Sequence, residues 1–317
     1  MISTRNLTKT YPEVEAVKAV TLNVHPGEVY GFLGPNGAGK STTIAMLLGL
    51  VKPTSGELSL FGTSLEKDYF TIKNAIGVVG ENPYFFDEMT AWEFLSFHAD
   101  IFMIDSKENR INQLMEHVGL RQYANIRPSE YSRGMRQKLS FVRALLHKPD
   151  LLILDEPVSG LDPHGIRQIR SLIEEQKKSG TTIFISSHIL SEVERTADRI
   201  AIMHKGKLLV EDNLDGLRYS VDQSVRVNVE VTHVPDSLSV ILSDVPSVVD
   251  HNINGQHIEM RLDGSSDSDH RAEVSSAITA SGTTIIGMET RKASLEETFM
   301  TFTDDNVIGL SKAGEVE

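Results

Sequence analysis

The sequence predicts an α/β protein built on a parallel sheet, followed by a smaller α+β domain. Three observations carry that expectation. A glycine-rich loop stands between an apolar run and a helical stretch, a continuous apolar run at residues 151–154 and the stretch 182–186 read as further buried strands, and the composition turns acidic from Arg218 onward. Continuous apolar runs of this length are the pattern of strands covered on both faces. Their alternation with helices gives a parallel sheet with right-handed crossovers. At 317 residues the chain is long enough for one large domain and a small one.

The elements follow in order. Residues 1–80 alternate strand and turn, and residues 28–33, after the Pro26-Gly27 turn, read as a buried strand. The glycine-rich loop comes next, then a helix from Lys40 with Ile44, Leu47 and Leu48 on one face. Thr90 with Glu93 three residues on is a capping-box pattern, and residues 90–148 read as mostly helical. In the tail, Val225, Val227, Val229 and Val231 alternate with Arg226, Asn228 and Glu230, a half-buried strand. Residues 236–243 fit a short helix, 247–251 a strand, and 257–262 another strand after the Asn254-Gly255 turn. A helix over 269–281 and a strand at 283–288 complete a β-α-β-β-α-β order, the ferredoxin-like arrangement. Residues 264–269 form a polar loop, and Ser294 with Glu297 is a second capping box opening a last helix through Phe299.

Charge marks the expected domain boundary. From Arg218 to the end, 7 Lys and Arg face 17 Asp and Glu, so this stretch carries −10 of the net −13. We therefore expect domains at 1–217 and 218–317, with a helical subdomain over about 82–148. A net charge of this sign argues against general affinity for nucleic acid or acidic lipid. The absence of cysteine excludes disulfides and thiolate chemistry. No apolar run approaches the roughly 18 residues of a membrane span, and the polar start is not that of a signal peptide. The eleven histidines show no metal-ligand spacing.

Gly34-Pro35-Asn36-Gly37-Ala38-Gly39-Lys40-Ser41, followed by Thr42, is a Walker A loop after a strand and before a helix. Its glycines let backbone N–H groups face phosphate without side-chain obstruction. The helix start aims its positive end at the same anion. Lys40 then reaches the β- and γ-phosphates, and the Ser41 hydroxyl is a ligand for Mg²⁺. The run 151–154 ends in Asp155 and Glu156, a Walker B pattern: Asp155 for the metal, Glu156 to orient and deprotonate the attacking water.

With these motifs the chain resembles the nucleotide-binding subunits of ABC transporters. Tyr131-Ser132-Arg133-Gly134-Met135 is similar to that family's signature and lies 23 residues before Asp155 when counted from Ser132. Ser159-Gly160-Leu161-Asp162 matches the D-loop, His188 the switch histidine, and Tyr11 the aromatic that stacks on adenine. The motifs run in family order across residues 1–215. Glu81 stands where the family usually has the glutamine of the Q-loop, keeping an oxygen for Mg²⁺ while adding charge. Arg133 and Met135 replace a common glycine and glutamine, and Arg133 either weakens the phosphate cradle or adds positive charge to it.

The resemblance implies a P-loop, RecA-like ATPase domain with an antiparallel β subdomain and a helical subdomain. It also implies ATP and Mg²⁺ as ligands, and a dimer, expected as a homodimer. Each ATP then lies between Walker A and B of one copy and Ser132 and Gly134 of the other, with Asp162 relaying the state across the interface. Separate permease subunits are the membrane partner, which places the chain on the cytoplasmic face of the cell membrane, and the signature style is that of drug and antibiotic exporters. Tyr84, Phe85, Phe86 and Trp92 are either the groove for a helix of that partner or plain core. The single cassette argues against translation-type relatives. Only 92 residues separate Lys40 from Ser132, which leaves no room for the coiled coil of repair-type ones.

Overall fold

The computed structural model describes residues 1–214, 216–217, 224–263 and 269–291. The contacts divide the chain into two compact units, Met1–Asn213 and Leu214–Glu317. The acidic stretch begins just inside the second.

In the first unit, β1 (Ile2–Tyr11), β2 (Val14–Val24) and β4 (Ser55–Leu60) form an antiparallel sheet in the order β2-β1-β4. A six-stranded sheet is built from β3 (Val29–Leu33), β5 (Ile76–Val79), β6 (Leu151–Asp155), β7 (Thr182–Ser187), β8 (Arg199–His204) and β9 (Lys207–Asn213). Its order is β5-β6-β7-β3-β8-β9, parallel throughout except for the antiparallel β8–β9 pair. Every residue of β3 and β7 is buried, which is why neither strand shows the polar alternation of a one-sided sheet.

One core serves both sheets. Ile2, Leu7, Val20 and Leu22 pack with Leu47 of α1 (Lys40–Leu47) and with Tyr30, Phe32, Ile153 and Phe184 of the large sheet. The Tyr30 and Phe184 rings stack 5.7 Å apart at 18°. Burying one such ring is worth about 1.5–3 kcal/mol. The strand-and-turn reading of residues 1–80 misses α2 (Tyr69–Asn74), a six-residue helix with only Ile72 buried, too short to display a helical period.

The helical region contains α3 (Ala91–Ile101), α4 (Lys107–His117) and α5 (Arg133–Leu145). The Thr90 capping box forms in full: Glu93 N donates to Thr90 Oγ1 at 3.2 Å and Thr90 N donates to Glu93 Oε2 at 2.8 Å. That cap is worth about 1 kcal/mol. The aromatic group divides. Phe85 is core, its ring 5.0 Å from Phe94, whereas Tyr84 is 73% exposed. Two further helices, α6 (Pro163–Lys178) and the short α7 (Leu190–Val193), follow β6 and β7.

In the second unit, β10 (Ser224–Val231), α8 (Leu238–Ser243), β11 (Val248–Asn254), β12 (His257–Asp263), α9 (Arg271–Ala280) and β13 (Ile285–Arg291) form an antiparallel sheet in the order β11-β12-β10-β13 with two helices. Val227, Val229, Ile258, Met260 and Leu262 bury one face against Leu238, Leu242, Val274 and Ile278. β12 alternates buried and exposed along its length, so its hydrophobic set lies on one side only. The helix expected from Ser294 through Phe299 and residues 264–268 lie outside the described residues.

Candidate functional site

Four strand ends meet at one edge of the large sheet. Gly34 follows β3, Asp155 closes β6, His188 follows β7, and Glu81 comes just beyond β5. Parallel pairing puts all these carboxyl ends on the same edge, where ligands bind in such sheets. A cavity of about 760 Å³ opens there, lined by residues 35–42, Glu81, Glu156 and His188.

The loop has the backbone its sequence requires. Gly37 and Gly39 have φ of 80° and 108°, in the left-handed region. At Gly39, the N-cap of α1, a β-carbon would fall 2.4 Å from Ala16 O, so only glycine fits. The first i→i−4 bond of α1 is Thr43 N to Gly39 O at 2.9 Å. The N–H groups of Lys40, Ser41 and Thr42 precede it and form the anion-binding end of the helix.

Lys40 is buried, with Nζ donating to Gly34 O at 2.7 Å and pairing with Glu156 Oε1 at 3.3 Å. His188 Nδ1 is 2.7 Å from Glu156 Oε2, the Nδ1–H donating to the carboxylate. Glu156 is buried and has φ of 48°, a left-handed conformation costing about 1–3 kcal/mol in a non-glycine residue. Its N–H is held by Ser186 O at 3.2 Å and Ser186 Oγ at 3.1 Å. The same hydroxyl donates to Asp155 Oδ1 at 2.5 Å. Ser186 thus ties the Asp155 carboxylate and the Glu156 backbone to β7, a role no motif announces although the residue lies next to the Ser187-His188 pair. Arg143 of α5 donates to Val78 O at 2.6 Å and so joins the helical region to the strand that leads to Glu81.

Other expected residues are placed elsewhere. Ser132, Gly134 and Asp162 do not line the cavity. Ser132 is the N-cap of α5, its hydroxyl accepting from Met135 N at 3.2 Å. It is anchored by Tyr131, whose buried hydroxyl donates to Tyr123 O at 2.7 Å and whose pKa burial pushes up to about 12. Asp162 caps α6, its Oδ1 accepting from Gly165 N at 2.9 Å. Tyr11 is also absent from the cavity wall. Its ring is 38% exposed and lies under Lys9 Nζ at 5.1 Å, and Val14, Glu15 and Ala16 line the cavity in its stead. Lys18 and Lys205 add cationic side chains to the wall that no motif announced.

Ser41 and Glu81 line the cavity and offer hard oxygen donors. Among the described residues, no group of three or more His, Cys, Asp or Glu is placed to hold a metal unaided. That donor set fits Mg²⁺, which takes one or two protein oxygens and completes its shell with phosphate and water.

Residues 17–159 match the family described as ABC transporter. The bacitracin transport ATP-binding protein of Bacillus licheniformis is 48% identical over 219 residues, covering 69% of this chain and 71% of that protein. Its counterpart from Enterococcus faecalis is 44% identical over 68% of this chain and 70% of its own length. A solved ATP-binding subunit of an ABC transporter superposes with a TM-score of 0.65 at 33% identity, covering 69% of this chain and 92% of that one. A dimeric ATP-binding cassette in a post-hydrolysis state with ADP and Pi gives 0.62 at 26% identity, covering 68% and 99%. The chain belongs to the ABC transporter family, as an ATP-binding, ATP-hydrolysing subunit.

Proposed function

We propose that the chain is the motor of an exporter and works as a homodimer beneath separate permease subunits at the cytoplasmic face of the membrane. One observation carries the dimer: Lys40, Glu156 and His188 converge within hydrogen-bonding or ion-pair distance, whereas Ser132 and Gly134 do not line the same cavity. A second copy therefore supplies the signature to each ATP, and ATP binding closes the pair. No described helix is long and apolar enough to cross a membrane, so transport needs a partner that does. The exporter reading rests on relatives named for bacitracin transport.

In this mechanism the phosphates of ATP take the Lys40 ammonium and the N–H groups of residues 40–42. Ser41 and Asp155, with Glu81, would hold Mg²⁺, which would supply positive charge against the phosphates. Glu156 accepts the proton of the attacking water, and His188 keeps that carboxylate in line. Tyr11 stacks on adenine after a movement of the β1–β2 turn, and Asp162 relays the state of the site between copies. Tyr84 and Phe86, both exposed, face a helix of the permease. The tail, 218–317, is a ferredoxin-like domain by its element order and strand order, and it steadies or regulates the dimer. Glu156→Gln tests the core of the proposal. It should lower turnover by roughly 10²–10⁴-fold, retain ATP binding and trap a closed dimer. Near-normal hydrolysis by this variant would overturn the assignment.

A further inference from the structure

We propose that Arg133 is a positioning residue that clamps the turn at residues 159–162 to the signature, so that both segments move as one body and couple the two ATP sites. The coupling rests on the composite-site reading above; the clamp itself does not. A β-carbon on Gly160 would fall 2.6 Å from Arg133 Cζ and Nη1 and 2.9 Å from Nε. The guanidinium therefore occupies the space a side chain at residue 160 would need. Gly160 has φ of 67°, so the turn already demands glycine, and its bare α-carbon is what admits the arginine.

Two further contacts join the same segments. Leu161 Cδ2 is 4.0 Å from the β-carbon position of Gly134. The Asp162 carboxylate lies close enough to Lys138 to oppose the fall in its pKa that burial causes. From the turn, Ser159 N donates to Glu156 O at 3.1 Å. A continuous path thus runs from Ser132, which meets the ATP held by the other copy, through Arg133 and Gly160 to the general base of the chain's own site. A lysine lacks the flat face that Arg133 lays against the glycine and would not replace it.

The test is a double-mutant cycle on the full chain with Arg133→Ala, Gly160→Ala and the pair. Alanine at φ 67° is strained in both backgrounds, and only the native background adds the collision with the guanidinium. Gly160→Ala should therefore lower the urea midpoint more with Arg133 present than with it removed; additive effects overturn the clamp. In ATP titrations of hydrolysis, the Hill coefficient should fall from about 2 toward about 1 in Arg133→Ala and stay low in Arg133→Lys. ATP affinity by calorimetry should be unchanged. Retained cooperativity overturns the coupling. Collapsed turnover with retained cooperativity and partial recovery in Arg133→Lys would make Arg133 a phosphate ligand instead. Absence of a trapped dimer with Glu156→Gln defeats the composite-site reading and the coupling with it, while the unfolding cycle still decides the clamp.

Discussion

His188 Nδ1 lies 2.7 Å from Glu156 Oε2, and the other oxygen of the same carboxylate faces Lys40 Nζ at 3.3 Å. A buried carboxylate has in this way been given two partners, one on each oxygen, from the loop after β7 and from the first residue of α1. The arrangement restricts rotation of the carboxylate, and a fixed acceptor is what deprotonation of a single water requires.

Removing the histidine partner should therefore affect chemistry more than binding. His188→Ala is expected to lower kcat by roughly 10²-fold, with ATP affinity close to native because the phosphate loop is untouched. Steady-state hydrolysis set beside calorimetry separates the two. A loss confined to affinity would place His188 outside the reaction.

Assembly of the site from two copies can be read by complementation. Lys40→Ala damages the phosphate loop and Ser132→Arg damages the signature, and each homodimer then has two defective sites. A mixed dimer retains one intact site only if the signature acts across the interface. Hydrolysis should return on mixing and be absent from either variant alone. With mixed dimers verified by native mass spectrometry, no return would mean that the sites fire only in pairs or that the signature acts within its own chain.

Acid should weaken the helical region through His147. Its ring stacks on Phe102 at 4.0 Å and 8°, its Nε2 lies 3.1 Å from Ile76 O, and its buried Nδ1 has no hydrogen-bond partner. Burial pushes its pKa down; the Ile76 carbonyl opposes this, and Arg143 and Arg110 add to the lowering. The unfolded chain therefore takes up the proton first as pH falls. The stabilisation is complete above the unfolded pKa of about 6.5 and is lost as pH drops toward the folded value. Between about pH 7.5 and about pH 5.5 the Tm should fall, and His147→Gln, which keeps a donor for Ile76 O, should flatten the slope. An unchanged slope in the variant would assign the acid sensitivity to other groups.

Truncation after Leu217 examines the tail. The tail strands and helices share a hydrophobic core of their own, so the first unit should still bind ATP without them. ATP-dependent dimerisation and turnover are expected to change, measured by sedimentation and by phosphate release. Identical values with and without the tail would leave it a solubilising appendage.

The local structure of this chain was legible wherever its requirement is written in consecutive residues. The loop needs glycines and a lysine at set spacing, Walker B needs an apolar strand that ends in carboxylates, and a capping box needs Thr90 and Glu93 three apart. Each of these is a local demand of backbone geometry, and each element formed where its pattern stands. The alternation at Val227, Val229 and Val231 likewise foretold a strand with one buried face, because the pleat has a period of two.

Contacts between distant segments were decided only by the fold. Ser186 bonds Asp155 across 31 positions, Arg133 lies on Gly160 from another helix, and Lys18 and Lys205 come to a cavity that holds no motif of theirs while Tyr11 stays off its wall. The sequence by itself determined the local elements and the residue types offered for the chemistry, since residue type and local spacing suffice for that. Which of them face one another was settled by the parallel order β5-β6-β7-β3-β8, because only that pairing sets the strand ends side by side and fixes the distances between their loops.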